Sequence, residues 1–215
     1  IDTVNSLSLA GRSISDLTGI EDFTALTFLS CSFNSLTSLN VSANTNLTGL
    51  SCKSNQLTSL DVSNNTDLTL LRCPDNQLTT LDVSNNLDLI TLFCEDNQLT
   101  SLDVRNGNNT NFYSPFFGSQ NDAFYATNNP NLFCILVDDP VWSANNWTNI
   151  DSLASFSEGS NITYSVTACD TYSWHGTTYT SSGTYTNVYT NAVGCDSTVT
   201  LELTINYSTS STDAH

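Results

Sequence analysis

A mainly β solenoid, wound from stacked coils of two short parallel strands each with little helix, is the fold that three observations predict. The first is a strict period. Cys31, Cys52, Cys73 and Cys94 recur every 21 residues (52 − 31 = 73 − 52 = 94 − 73 = 21), and the same offset superimposes Leu29 on Leu50, Leu71 and Leu92, and Val41 on Val62, Val83 and Val104. The second is a nested half-repeat: "LTFLSCSFNS" and "LTSLNVSANTN" share the pattern L-x-x-L-x-(C/V)-x-x-N, and each triplet alternates as a half-buried strand does. The third is an Asn column, Asn34, Asn55, Asn76 and Asn97, separated by two residues from the end of a strand triplet, where Asn suits a turn.

A period in this range with L-x-x-L-x-(L/C)-x-x-N is the leucine-rich-repeat signature. The inward apolar residues of one coil cannot offset the entropy of ordering it, so coils must stack, and the ends need caps. Residues 1–25 read as an irregular N-terminal repeat, with Leu7, Leu9, Ile14 and Leu17 standing 22 positions before Leu29, Cys31, Leu36 and Leu39 and "DLTGIEDFTAL" as a short helical turn or loop. Residues 26–105 hold four regular repeats. Residues 106–158 are a distorted repeat with an aromatic insert and a C-terminal cap, in which Cys134 rejoins the inward column and Trp142 and Trp147 lid the open end. Inward Cys is a small apolar filler, since one thiol per coil without His matches no zinc spacing.

Beyond residue 158 the leucine columns vanish. Ile162, Tyr164, Val166 and then Val199, Leu201, Leu203, Ile205 alternate, predicting a small antiparallel, sandwich-like β module over 159–208, with 209–215 a linker. A core this small favours a staple, and Cys169 and Cys195, the pair left outside the inward column, are expected to form a disulfide.

Composition narrows the function. Of the 215 residues, Arg12, Lys53, Arg72 and Arg105 are the only basic ones against 21 acidic, and the formal charge of −17 argues against a nucleic-acid partner. No apolar run approaches the roughly 20 residues of a membrane span, and an export signal is expected to lie outside this chain. Low charge density with abundant Ser, Thr and Asn fits a secreted or cell-surface protein. No enzyme is expected: His175 and His215 have no nucleophile elbow, phosphate loop or metal signature beside them, so no catalytic residue is nominated.

The repeat "NQLTSLDVSNNTDLTLLRC" resembles those of leucine-rich-repeat surface proteins secreted by Bacteroidetes bacteria, and "NNPNLFCILVDDPVWSANNWTNID" looks like the element that ends such solenoids. "ACDTYSWHGTTYTSSGTYTNVYTNAVGCDSTVTLELTI" is similar to a module found in tandem in large adhesin-like proteins of the same bacteria. The resemblance implies type IX secretion, adhesion, and neighbouring tandem domains in a longer parent chain.

Columns that vary between coils are not dictated by the fold. On the first sheet the outward positions are Phe28, Ser30, Ser32; Gly49, Ser51, Lys53; Leu70, Arg72, Pro74; and Thr91, Phe93, Glu95. Phe28, Lys53, Arg72, Phe93 and Glu95, with Phe93 as an exposed aromatic, are therefore expected to meet a protein or glycan partner. Phe116 and Phe117 in the insert, beside Phe112 and Tyr113, form a second candidate contact. The second sheet is uniform and carries an acidic column, Asp61, Asp82 and Asp103; with Asp138 and Asp139 it is the place where calcium is considered, against local hydrogen bonding to turn amides. No other cofactor is expected. The leading expectation is a non-catalytic binding or adhesion protein; the rivals are a structural spacer or filament segment and an accessory region of a secreted enzyme.

Overall fold

The computed structural model describes residues 3–114, 118, 120–159, 161–190 and 196–208. The chain divides into two compact units, Ile1–Glu158 and Gly159–His215.

In the first unit a six-stranded parallel sheet runs in the order β1 (Ser6–Ser8), β2 (Phe28–Ser30), β3 (Gly49–Ser51), β4 (Leu70–Arg72), β6 (Thr91–Phe93) and β8 (Phe124–Tyr125). The register follows the sequence columns, with Leu7, Leu29, Leu50, Leu71, Leu92 and Phe124 in one row. Leu29, Leu36, Val41, Leu50 and Cys52 are fully enclosed, as is a further column, Leu26, Leu47, Leu68 and Leu89, ahead of each first strand. Near the N-terminus β1 pairs with β2, Leu7 beside Leu29, and a 3-10 turn forms at Ile20–Asp22.

The second sheet contains β5 (Thr80–Asp82), β7 (Ser101–Asp103), β9 (Cys134–Leu136) and β10 (Ser155–Ser157), in the order β10-β9-β7-β5. Two strands per coil therefore hold only for the later coils, and residues 38–40 and 59–61 form no strand. Packing tracks this: Leu39 is only partly buried and Leu60 is 8% exposed, against 2% for Leu81 and 0% for Leu102. The ladder closes where β9 and β10 of the cap anchor it. Side chains tie the second turn from coil to coil in earlier and later coils alike: Asn65 Nδ2 donates to the Val41 carbonyl at 3.0 Å and to that of Asn44 at 2.9 Å, and Asn86 Nδ2 to those of Val62 and Asn65.

The Asn column of the first turn is more fully used. Asn76 Nδ2 donates to the carbonyls of Cys52, Cys73 and Pro74, each at 3.1 Å, and its Oδ1 accepts the Leu57 amide at 3.0 Å, so one side chain closes its own turn and ties it to the preceding coil. Asn55 and Asn97 repeat the pattern, and Asn129 takes the place in the distorted coil. That coil carries eleven extra residues (Leu92 to Phe124 is 32, against a period of 21), inserted after the turn at Asn106 and Asn109.

The insertion shifts the register, so Ala126, not Cys134, follows Cys94: the Cys94 amide donates to the Tyr125 carbonyl as Cys73 does to that of Phe93. Cys134 instead pairs with Ser155 in the second sheet. The solenoid ends on the helix α1 (Pro140–Asn146), where Asp139 is the N-cap and Pro140 opens the first turn. Trp147 is buried there, stacked on Phe124 at 4.3 Å with Phe112 at 4.8 Å.

In the second unit a three-stranded sheet has the order β11 (Asn161–Cys169), β15 (Asp196–Asn206), β14 (Gly183–Thr190), and a hairpin joins β12 (Tyr172–Trp174) to β13 (Thr177–Tyr179). The expectation of a purely antiparallel module is corrected: β11 runs parallel to β15, because three strands intervene and return the chain to its first direction. Leu201, Leu203 and Ile205 form the core, with Val166, Ala168, Tyr172, Trp174 and Tyr179 packed on them.

The Cys169–Cys195 staple is also corrected. Cys169 is an exposed free thiol, and Cys195 lies outside the described residues. Cys169 ends β11 in register with Asn206 of β15, and its thiol there is unpaired with any other sulfur.

Candidate binding face

The parallel register gathers the outward residues of the first sheet into rows. One is Phe28, Gly49, Leu70, Thr91; the next is Ser30, Ser51, Arg72, Phe93, Tyr125. Each turn beyond the strands then places a residue in the left-handed region: Phe33 (φ 58°), Ser54 (51°), Asp75 (54°), Asp96 (57°) and Asn128 (58°).

Phe28 packs against Gly49, where a Cβ would sit 2.7 Å from the Phe28 ring, so the small residue leaves room for the large one. Phe93 is not the exposed aromatic expected. Only 4% of it is exposed, because the Arg72 guanidinium covers it at 5.1 Å and Tyr125, brought alongside by the insertion, meets it edge-on at 5.1 Å. Arg72, Phe93, Glu95 and Tyr125 line a cavity of about 210 Å³. Tyr125 is held by a 2.8 Å hydrogen bond from its hydroxyl to Asp122.

Glu95 is the unusual member. Burial pushes its carboxyl above the ordinary value, helped by Asp96 and opposed by its own backbone amide, Lys53 and Arg72; one carboxylate oxygen is enclosed without a hydrogen-bond donor among the described residues. Lys53 pairs with Asp75 at 3.4 Å and lies 5.9 Å from the ring of Phe33. Phe33 is the exposed aromatic of this face, at 58%. The periodic reading missed it because it lies off the strand rows, yet it is the one bulky residue in a column that elsewhere holds Ser, Asp or Asn. Tyr125 was missed because the insertion breaks the period.

Phe116 and Phe117 lie outside the described residues. Of their expected companions, Phe112 is core and Tyr113 is exposed.

On the other sheet the acidic column is engaged locally. Asp61 and Asp82 accept the amides of Ser63 and Ser84, and those hydrogen bonds from Ser63 hold the Asp61 carboxyl below its ordinary value. Asp103 is gripped by the Arg105 guanidinium at 2.6 and 2.9 Å. Asp138 faces the Asn109 amide, and Asp139 caps α1. Among the described residues, no group of three or more His, Cys, Asp or Glu side chains is placed to hold a metal ion. The thiols of Cys31, Cys52, Cys73 and Cys94 are buried, and burial pushes Cys31 up to about 12 and the others upward likewise.

No protein-family model matches the chain. A 43-residue stretch is 52% identical to Internalin J of Listeria monocytogenes serotype 4b (strain F2365); this is 20% of the chain but only 5% of that protein, so the chain spans about one-twentieth of its length. The solved functional domain of InlJ from Listeria monocytogenes, which includes a cysteine ladder, aligns with 48% of this chain and 23% of its own at 52% identity and a TM-score of 0.48. An internalin, inlF, from Listeria monocytogenes strain 4b F2365 aligns with 73% of this chain and 44% of its own at a TM-score of 0.50 and 21% identity. This is a leucine-rich-repeat solenoid. These relatives come from Listeria, and they lend no support to a Bacteroidetes origin, to type IX secretion or to an adhesin-type module.

Proposed function

We propose that the solenoid is a non-catalytic, extracellular binding domain that docks a protein partner on the face of its first sheet, through Phe33, Lys53, Arg72, Glu95 and Tyr125. One observation carries this reading: the face keeps groups that cost folding stability. Glu95 is a carboxylate pressed into partial burial with an oxygen unsatisfied, and Phe33 is a large exposed ring on a left-handed backbone that L-residues adopt at a cost of about 1–2 kcal/mol. Such departures from local preference concentrate at functional sites. The second sheet, whose acids are absorbed by its own turns, has the character of a scaffold.

The internalin relatives support a surface location and a protein ligand, and the absence of a helix long and apolar enough to cross a membrane among the described residues is compatible with it. A glycan ligand, tandem neighbours in a longer chain and type IX export rest on the sequence resemblance alone. The test is an array of purified extracellular proteins and glycans probed with the full chain. Binding that survives in Asp82→Asn but falls at least about tenfold in Arg72→Ala and Glu95→Gln supports the face, a loss of at least ~1.4 kcal/mol. Binding untouched by the latter two rejects it.

A further inference from the structure

The outward column that carries Glu95 reads Ser32, Lys53, Pro74, Glu95. Its neighbour in the preceding coil is Pro74, which has no side-chain donor to offer. Lys53 is one coil further, about 10 Å away at the spacing of paired strands, and it pairs with Asp75 at 3.4 Å. The Arg72 guanidinium lies across the Phe93 ring at 5.1 Å. Both cations favour the charged form of Glu95, yet burial outweighs them and keeps the carboxyl above its ordinary value. One of its oxygens is enclosed with no donor among the described residues. A carboxylate partly withdrawn from water and short of donors is a group that an incoming positive charge stabilises.

Tyr125 adds to the excess of acceptors. Its hydroxyl donates to Asp122 at 2.8 Å, so the phenol oxygen has only lone pairs left for a further partner. Charge points the same way. Lys53 and Asp75 cancel, while Arg72 stands against Glu95, Asp96 and Asp122, which leaves two negative charges uncompensated around the cavity. The first unit as a whole repeats this imbalance. It holds all four basic residues and 17 of the 21 acids, the others being Asp170, Asp196, Glu202 and Asp213, for a formal charge of 4 − 17 = −13. Such a field draws basic partners toward the solenoid.

We propose, on the reading that the first sheet is the docking face, that the cavity between Arg72, Phe93, Glu95 and Tyr125 receives one basic side chain of the protein partner, lysine or arginine. Its ammonium or guanidinium bonds the Glu95 carboxylate, and its alkyl stem lies against the Tyr125 ring. The volume of about 210 Å³ takes a single long side chain and no larger element. A neutral donor fills the same space but leaves the charge of Glu95 uncompensated, whereas a cation forms a charge-assisted bond where water is partly excluded. An acidic group meets the net negative charge and is turned away. Glu95 is thereby a specificity-determining residue of the face, selecting partners that present a projecting cation.

Two measurements on the full chain test it. The first is an NMR titration of the isotope-labelled chain, at constant ionic strength and into the tens of millimolar, with N-acetyl-lysine amide, N-acetyl-arginine amide and N-acetyl-glutamine amide. The expected result is saturable shifts of the Phe93, Glu95 and Tyr125 amides with a basic probe and none with the glutamine probe. The dissociation constant of the basic probe rises at least about tenfold in Glu95→Gln, which circular dichroism shows to be folded. The tighter of the two basic probes tells lysine from arginine. The second measurement pairs Glu95→Gln with Lys→Gln or Arg→Gln changes in a partner taken from the array. One such change and Glu95→Gln each weaken binding at least about tenfold, and together they weaken it no more than either alone. No saturable shift with either basic probe, an equal response to the glutamine probe, or a basic probe indifferent to Glu95→Gln overturns the proposal. A partner that depends on Arg72 and Glu95 but shows only additive losses rejects the cation and spares the docking face. Partner binding untouched by both Arg72→Ala and Glu95→Gln removes the docking face, and the occupant with it.

Discussion

The two turn columns of Asn make different demands, and Asn76→Ala against Asn65→Ala separates them. Asn76 accepts the Leu57 amide, which has no other acceptor in the hydrogen-bond pattern, and donates to three carbonyls. Its removal strands one buried N–H at about 1–3 kcal/mol and weakens three shared contacts from a single amino group, together worth ~1–2 kcal/mol, for a loss of about 2–5 kcal/mol. Asn65 donates to two carbonyls, while its own Oδ1 is buried without a partner among the described residues. Truncation there removes an oxygen that was already unsatisfied, so the loss is about 1–2 kcal/mol. Asn76→Asp costs more than Asn76→Ala, because it turns a carboxylate toward three carbonyl oxygens. Urea unfolding with the m-value held fixed reads these differences. Equal losses at Asn65 and Asn76 would refute the reasoning.

Thiol labelling of the native chain at pH 8 modifies Cys169 and spares Cys31, Cys52, Cys73 and Cys94, all of which react once the chain is unfolded; mass spectrometry of the digest decides it. Because burial raises these thiols above the ordinary value of 9.0, the unfolded chain ionises first as pH rises, and stability falls from about pH 9 upward, less steeply in a Cys52→Ala, Cys73→Ala variant. Glu95→Gln raises the urea midpoint at pH 7 and leaves it unchanged below pH 4: the carboxyl is held above its ordinary 4.5, so at neutral pH the folded state bears an ionisation cost that protonation of both states removes. Gly49→Ala drives the Phe28 ring from its seat at a cost of about 1–3 kcal/mol, and little of that remains in Phe28→Ala. Trp147→Phe is milder than Trp147→Ala, which loses about 3–5 kcal/mol, since the indole N–H is buried without a partner among the described residues and phenylalanine removes it; thermal melts compare the pair.

What the sequence shows of this fold is what repeats. Leu50, Cys52, Asn55 and Leu57 face the same neighbours as Leu71, Cys73, Asn76 and Leu78, so the solenoid, its inward column and its turn column are legible, and the offset of 22 places Leu7 beside Leu29. Legibility ends where neighbours differ. Eleven inserted residues bring Tyr125 against Phe93 and bury a ring that periodicity leaves exposed, and the same shift takes Cys134 out of the cysteine column. The fading of the second sheet toward the N-terminus is invisible in "SLDVS", which recurs almost unchanged, because it depends on distance from the capping strands. Phe33 was readable in principle: it is the misfit of its column, but the column is defined by a backbone angle and not by hydropathy. The parallel course of β11 and β15 follows from how many strands intervene, which alternation alone does not count.

The central claim is a division of labour between two sheets, the first facing a partner and the second serving as scaffold. Hydroxyl-radical footprinting of the full chain with a partner taken from the array measures it directly. The account predicts protection of Phe33, Lys53, Glu95 and Tyr125, with Leu60 and Leu81 and their flanking Asp61 and Asp82 unchanged. Protection confined to the Asp61–Asp82–Asp103 face would contradict it.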